Sequence, residues 1–315
     1  MSNKVILVTG GSGLVGRAMQ KVIKEEDPAD EEWIFLSSKD ANLLDNQSTK
    51  AAFEKYKPTH VIHLAAIVGG LYRHLGANLE IMRLNLCIND NVLESAKTYK
   101  CQKVVSCMTT CIFPDVTTYP LDETMMHQGP PHISNCGYAY AKRMIDVTNQ
   151  LYYREHGLQF TGVIPTNVYG SNDNFNLKDS NVLPGLIHKC YLAQKENKPF
   201  VISGTGSARR QFIHSEDLAR LTVWALREYP EIDPILLSVA KDEEVSIQEL
   251  AEMIADAFDF EGEIVYDKSK SDGKLKRTTT NTKLRKYLPD YKFKPLQEGI
   301  KETVDWFKTN YPNVR

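Results

Sequence analysis

Four tyrosines in the 315-residue sequence stand four positions ahead of a lysine: Tyr99/Lys103, Tyr138/Lys142, Tyr191/Lys195 and Tyr266/Lys270. On a helix this spacing brings both side chains to one face. There a phenol can protonate a carbonyl oxygen while hydride reaches its carbon. A lysine charge would lower the phenol's ordinary pKa of about 10. Spacing alone does not choose among the four pairs. Tyr99/Lys103 runs from a helix end into a strand pattern, Tyr191/Lys195 lies beyond the first nucleotide-binding pattern, and Tyr266/Lys270 falls in a basic loop. Tyr138/Lys142 follows a fourth strand and precedes a fifth, and we take it as the chemical pair.

The second group is Gly10-Gly11-Ser12-Gly13-Leu14-Val15-Gly16, with Gly10, Gly13 and Gly16 forming G-x-x-G-x-x-G. It follows an apolar strand pattern and opens a helix, where glycines permit a tight turn and close backbone approach to a pyrophosphate. The helix N-terminus adds free N–H groups and partial positive charge. At the end of the second strand, where an acid would hold the ribose of NAD, stand Ser37-Ser38-Lys39. Hydroxyls and a cation suit a 2′-phosphate, so we read NADP(H), with adjacent Asp40 keeping NAD open.

These groups need elements to hold them. Strand patterns occur at 4–8, 33–36, 60–64, 103–107 and 160–164. Helical patterns occur at 14–23, 48–56, 78–97 and 138–155. The alternation predicts an α/β fold, a Rossmann-type doubly wound parallel sheet. After Pro165 it loosens: Ser215 is expected to cap a helix through Arg227, Ser246 and Glu249 form a capping box, and 268–277 is a basic loop. We therefore expect an NADP-binding domain from 1–166 and 209–239. A smaller α+β substrate lobe would comprise 167–208 and 240–315.

Composition narrows the class. With 38 Lys+Arg against 40 Asp+Glu the net charge is −2, which argues against a nucleic-acid partner. The longest apolar stretch, about half a bilayer span, argues against a membrane partner. The six cysteines show no Cys-x-x-Cys pair, so no metal site is expected. A cytoplasmic enzyme with reduced thiols is the leading class.

Together with the glycines and the Tyr138/Lys142 pair, Thr109-Thr110-Cys111 and Pro165-Thr166-Asn167 resemble the extended short-chain dehydrogenases/reductases. The segments 63–70, 111–114, 172–176, 182–184 and 209–212 are similar to the GDP-L-fucose synthase family within them. The resemblance implies epimerisation at carbons 3 and 5 of GDP-4-keto-6-deoxy-D-mannose, then NADPH reduction at carbon 4. Tyr138 would be the general acid and Lys142 its partner. Thr109 would stand for the family's serine, and Cys111 would be the epimerisation base if its pKa is lowered locally. Cofactor contacts are expected from 10–16, Ser38, Lys39, Asn42, Leu43, Leu64, Ala65, Ala66, Cys107, Met108, Thr109, Tyr138, Lys142, Pro165, Thr166, Asn167 and Val168. Lys189, Ser203, Arg210 and Asp272 are expected at the GDP-sugar substrate, with Ser203 where the family has tryptophan. The family's proton-donating histidine is replaced by Asn181, which cannot ionise. Slow epimerisation is therefore expected, unless water, Tyr138 or a histidine of the 127–132 loop serves. His188 lies two helical turns, about 10 Å, further on. A homodimer through a four-helix bundle is also implied. Another nucleotide-sugar epimerase or reductase, or a non-catalytic NADP-binding regulator, remains open.

Overall fold

The computed structural model describes residues 4–315. Five strands from the first half form β1 (Lys4–Thr9), β2 (Glu31–Leu36), β3 (His60–His63), β4 (Lys103–Cys107) and β5 (Gln159–Pro165). They join β10 (Ile235–Leu237) in one parallel sheet of order β10-β5-β4-β3-β1-β2. The order reverses between β1 and β3. That switch point opens a crevice at the carboxyl ends of the strands, where open α/β sheets bind ligands.

Alternate residues of each strand serve opposite layers, which is why the strands read as continuous apolar runs. Ile6, Val8, Ile62 and Val105 pack under α1 (Leu14–Glu26) and α6 (Ser215–Arg227). Leu7, Val61, Val104 and Phe160 pack beneath α2 (Asn46–Tyr56) and α3 (Leu71–Thr98). The helix α4 (Cys136–His156) lies along α3.

A separate core unites Tyr169, Phe175, Leu186, Phe200, Leu250 and Phe307. Its elements are β6 (Asn167–Tyr169), α5 (Val182–Glu196), β7 (Phe200–Ser203), β8 (Arg209–Arg210), β9 (Phe212–His214), β11 (Val245–Ser246), α7 (Ile247–Phe258), β12 (Ile264–Asp267) and α9 (Leu296–Asn310); α8 (Thr282–Tyr287) packs near β10. Short sheets pair β6 with β9, β7 with β12 and β8 with β11.

Two local expectations are corrected. The α6 cap is His214, whose ring nitrogen accepts from the Glu216 N–H at 3.4 Å; Ser215 is already helical. The imidazole reaches the first-turn amide that a serine cap would have satisfied. The Ser246–Glu249 capping box forms as expected. The α3 helix begins at Leu71, seven residues before the periodic pattern, with non-helical backbone at Ala77 marking the junction. The basic loop is anchored at Lys274, whose Nζ donates to the carbonyls of Pro114 and Asp115, at 3.2 and 2.7 Å.

Candidate active site

The phosphate loop closes on itself at the switch point. Gly10 has φ +72°, and a Cβ there would lie 2.8 Å from the Ala65 nitrogen. A Cβ on Gly16 would come within 2.5 Å of the Gly10 and Gly11 carbonyl oxygens. The α1 N-terminus carries no side-chain cap and no acid in its first turn, leaving its amides for an anion. Beyond β2, Asp40 turns back, its Oδ2 accepting from the Ser37 N–H at 2.8 Å and the Ser37 hydroxyl at 2.6 Å. Ser38 and Lys39 are exposed beside it. The carboxylate that kept NAD open is thus engaged locally, leaving a hydroxyl and a cation accessible. These features fit a dinucleotide bearing a 2′-phosphate.

A hydrogen-bond chain ties this loop to the chemical helix. The Thr9 hydroxyl lies 2.8 Å from His63 Nδ1, His63 Nε2 lies 3.1 Å from Asn89 Oδ1, and Asn89 Nδ2 donates to the Ala141 carbonyl at 3.1 Å. Because Asn89 donates through its amide nitrogen, the consistent assignment makes His63 Nε2 the donor and Nδ1 the acceptor. Full burial lowers the His63 pKa to about 3, so the ring is neutral, as that assignment requires. Ala141 immediately precedes Lys142.

At the α4 N-terminus, the Gly137 N–H donates to Asn78 Oδ1 at 3.0 Å. A Cβ on Gly137 would lie only 2.0 Å from the Asn78 carbonyl oxygen. That close approach seats Tyr138 against α3. Lys142 is fully buried, donating from Nζ to the Cys107 carbonyl at 2.7 Å and lying 5.9 Å from the Tyr138 ring centroid. Thr109 caps the following 3-10 turn, its hydroxyl accepting from the Cys111 N–H at 3.4 Å. From α4, Arg143 holds the same turn by donating to the Ile112 and Gly129 carbonyls. Tyr138, Lys142, Thr109 and Cys111 are therefore brought together at the carboxyl end of β4.

Two electrostatic expectations are reversed. Tyr138 is pushed well above its ordinary value, first by burial and then by the neighbouring Cys111 and Cys107. The Cys111 thiol is also pushed up by burial; Arg277, the Thr109 hydrogen bond and Lys142 only partly oppose this. Desolvating the charged form outweighs the nearby cations. The phenol consequently keeps its proton at neutral pH, the form a general acid needs.

The expected substrate residues form two neighbouring groups. Lys189 Nζ donates to the Ser203 hydroxyl at 3.4 Å. Both carboxylate oxygens of Asp272 accept from Thr205, at 2.7 Å from its N–H and 2.8 Å from its hydroxyl. Arg210 donates to the Lys274 carbonyl at 2.6 Å, and burial followed by the Arg277 charge lowers its pKa to about 10. Arg277 was not singled out in the sequence; its only sign there is its place at the end of the basic loop.

Asn181 is the α5 N-cap residue, and its side chain makes no capping hydrogen bond. The histidines considered in its place are engaged elsewhere. His127 pairs with Asp146 at 2.8 Å, His132 with the Ser134 hydroxyl at 2.8 Å, and His188 Nδ1 with the Phe175 carbonyl at 2.8 Å. His74, which periodicity missed because it precedes the kink, is buried with its ring centroid 5.4 Å from that of Tyr138.

The sequence profile of the NAD dependent epimerase/dehydratase family matches residues 6–237. A GDP-L-fucose synthase of Dictyostelium discoideum is 53% identical, covering 100% of this chain and 98% of its own. A probable GDP-L-fucose synthase of Drosophila melanogaster is 51% identical over 99% of each. The crystal structure of a GDP-L-fucose synthetase from Naegleria fowleri bound to NADP superposes with a TM-score of 0.95 at 44% identity, covering 100% of this chain and 96% of that one.

Proposed function

The chain belongs to the NAD dependent epimerase/dehydratase family, and from that premise we propose that it is a bifunctional 3,5-epimerase and NADPH-dependent 4-reductase. It converts GDP-4-keto-6-deoxy-D-mannose to GDP-L-fucose. The observation that carries this reading is the meeting of a reductase pair, Tyr138 and Lys142, with a thiol, Cys111, across one turn capped by Thr109. A reductase needs three elements of that set, the phenol, the ammonium and the hydroxyl. Only a reaction that also removes a carbon-bound proton has use for the thiol. The full-length likeness to GDP-L-fucose synthases supports the same substrate.

The residues divide the work by chemistry. The glycine loop and the bare α1 N-terminus would hold the cofactor's pyrophosphate, and the exposed Ser38 and Lys39 would meet its 2′-phosphate. The buried Thr166 hydroxyl just past β5, which has no partner among the described residues, is a further polar group for the cofactor. NADPH supplies hydride. Tyr138 donates a proton to the keto oxygen, and Thr109 donates a hydrogen bond to that oxygen. Cys111 removes the acidified protons on carbons 3 and 5, Arg277 and Lys142 offsetting part of what burial costs its thiolate. Lys189, Ser203, Arg210 and Asp272 belong to the GDP-sugar side, and a diphosphate matches the cations among them.

The cofactor domain in this reading comprises 1–166 and 209–239, and the substrate lobe 167–208 and 240–315, with Phe212 of β9 reaching into the lobe's core and Leu284 of α8 returning to the core of the main sheet. Helices α3 and α4 leave Leu75, Leu79, Met144 and Leu151 exposed on neighbouring surfaces. A twofold homodimer pairing these helices into a four-helix bundle would cover them. No described helix is long and apolar enough to cross a membrane, and a cytoplasmic location is part of the proposal.

The test is NADPH absorbance on addition of GDP-4-keto-6-deoxy-D-mannose. Oxidation that depends on the keto-sugar, and is faster than with NADH, is expected. NADPH binding without oxidation would instead identify a regulator that kept the fold.

A further inference from the structure

The turn that carries Asn181 lies on the start of α3. The Gly70 N–H donates to the Asp179 carbonyl at 2.8 Å, and a Cβ on Gly70 would approach the Ser180 carbonyl oxygen to 2.7 Å. One helical turn further along α3 stands His74, whose N–H returns to the Gly70 carbonyl at 3.2 Å. The residue is only 7% exposed, and its Nδ1 has no hydrogen-bond partner among the described residues. It packs obliquely on Tyr138, with ring planes 45° apart.

The other seven histidines of the chain are placed otherwise. His127, His132 and His188 are bound as described above, and His63 uses both nitrogens within the relay. His60 pairs with the Thr59 hydroxyl, His156 closes the far end of α4, and His214 caps α6. Among the described residues, His74 is the imidazole at the Tyr138 ring.

We propose that His74 is the proton donor for epimerisation in this chain, taking the role that Asn181 cannot perform. The inference rests on the function proposed above. The Cys111 thiolate takes the proton from carbon 3 or 5; that C–H bond breaks and its electron pair enters the enolate. The His74 imidazolium then gives its N–H proton to the same carbon from the other face, forming the new C–H bond and inverting the centre. The thiol proton returns through water to the imidazole, so the enzyme is reset without an added reagent. Burial disfavours the imidazolium and Arg73 adds to this, whereas the Gly69 carbonyl favours it. On this account the parent enzyme inverts both centres efficiently despite Asn181, and Asn181→His alone changes little.

The experiment compares the parent with His74→Gln, using GDP-4-keto-6-deoxy-D-mannose in deuterium oxide. Deuterium uptake at carbons 3 and 5, inversion at those carbons, and NADPH binding are each measured. Inversion should fall by about 10²–10⁴-fold. Uptake, which needs only Cys111, should stay within about tenfold of the parent, and NADPH affinity should be unchanged. Parental inversion in His74→Gln would overturn the proposal. So would uptake and NADPH binding falling together with inversion, the mark of a structural role. Should His74→Gln fail to fold, His74→Asn is compared with and without Asn181→His. Inversion lost in His74→Asn and restored by the added Asn181→His supports a transferable imidazole, and parental inversion in His74→Asn alone overturns the proposal. A parent that neither exchanges nor reduces the keto-sugar would instead refute the function proposed above.

Discussion

Tyr138 illustrates what residue types can and cannot disclose. Its position between the fourth and fifth strands singled it out from three other tyrosines at equal spacing from a lysine. The direction of its pKa was not legible, because sequence shows Lys142 nearby but not the burial that pushes the phenol up. Cys111 reads the same way: its neighbours in sequence mark it, whereas Arg277, the first opposing charge, comes from 166 positions away. His74 gave no sign in the sequence, since its importance arises from a contact across two helices. Tyr138→Phe removes one proton donor and little surface, so NADPH oxidation should fall by about 10²–10⁴-fold. NADPH affinity should hold within about twofold in a fluorescence titration. Turnover near the parent rate would show that another group protonates the keto oxygen.

At the scale of elements, strand and helix alternation was legible because each sheet strand is short, apolar and bounded by a turn. The sheet order and its switch point follow from pairing over long separations and could be expected only as a class. Boundaries were less legible where polar chemistry replaced periodicity. The α3 start is an example: its first turn is separated by the non-helical Ala77 from the amphipathic stretch that follows. The phosphate loop was readable from its glycines, and the structure adds the reason Gly10 and Gly16 are needed. Gly16→Ala would press a Cβ against two backbone carbonyl oxygens at 2.5 Å, neither of which can swing aside. We expect NADPH affinity to fall at least about tenfold, equivalent to about 1.4 kcal/mol, with about 1–3 kcal/mol lost from folding stability. Calorimetric binding and a urea unfolding curve check both. Unchanged affinity would mean the loop does not hold the pyrophosphate.

At the scale of the whole molecule, two cores meet around the carboxyl ends of the sheet. The second core draws on discontinuous segments that local patterning could suggest but not assemble. The outer faces of α3 and α4 carry large apolar residues, with Leu79 71% exposed. Sedimentation at micromolar concentration should therefore give a dimer, and Leu79→Glu combined with Met144→Glu should shift it to monomer. A parent that sediments as a monomer would contradict the bundle. The central claim is that one pocket both inverts carbons 3 and 5 and reduces carbon 4, and the sugar released from the product tests it most directly. After incubation with NADPH and GDP-4-keto-6-deoxy-D-mannose, mild acid hydrolysis and chiral chromatography should yield L-fucose. A 6-deoxyhexose that keeps the substrate's configuration at carbons 3 and 5 would contradict it, leaving a reductase that does not epimerise.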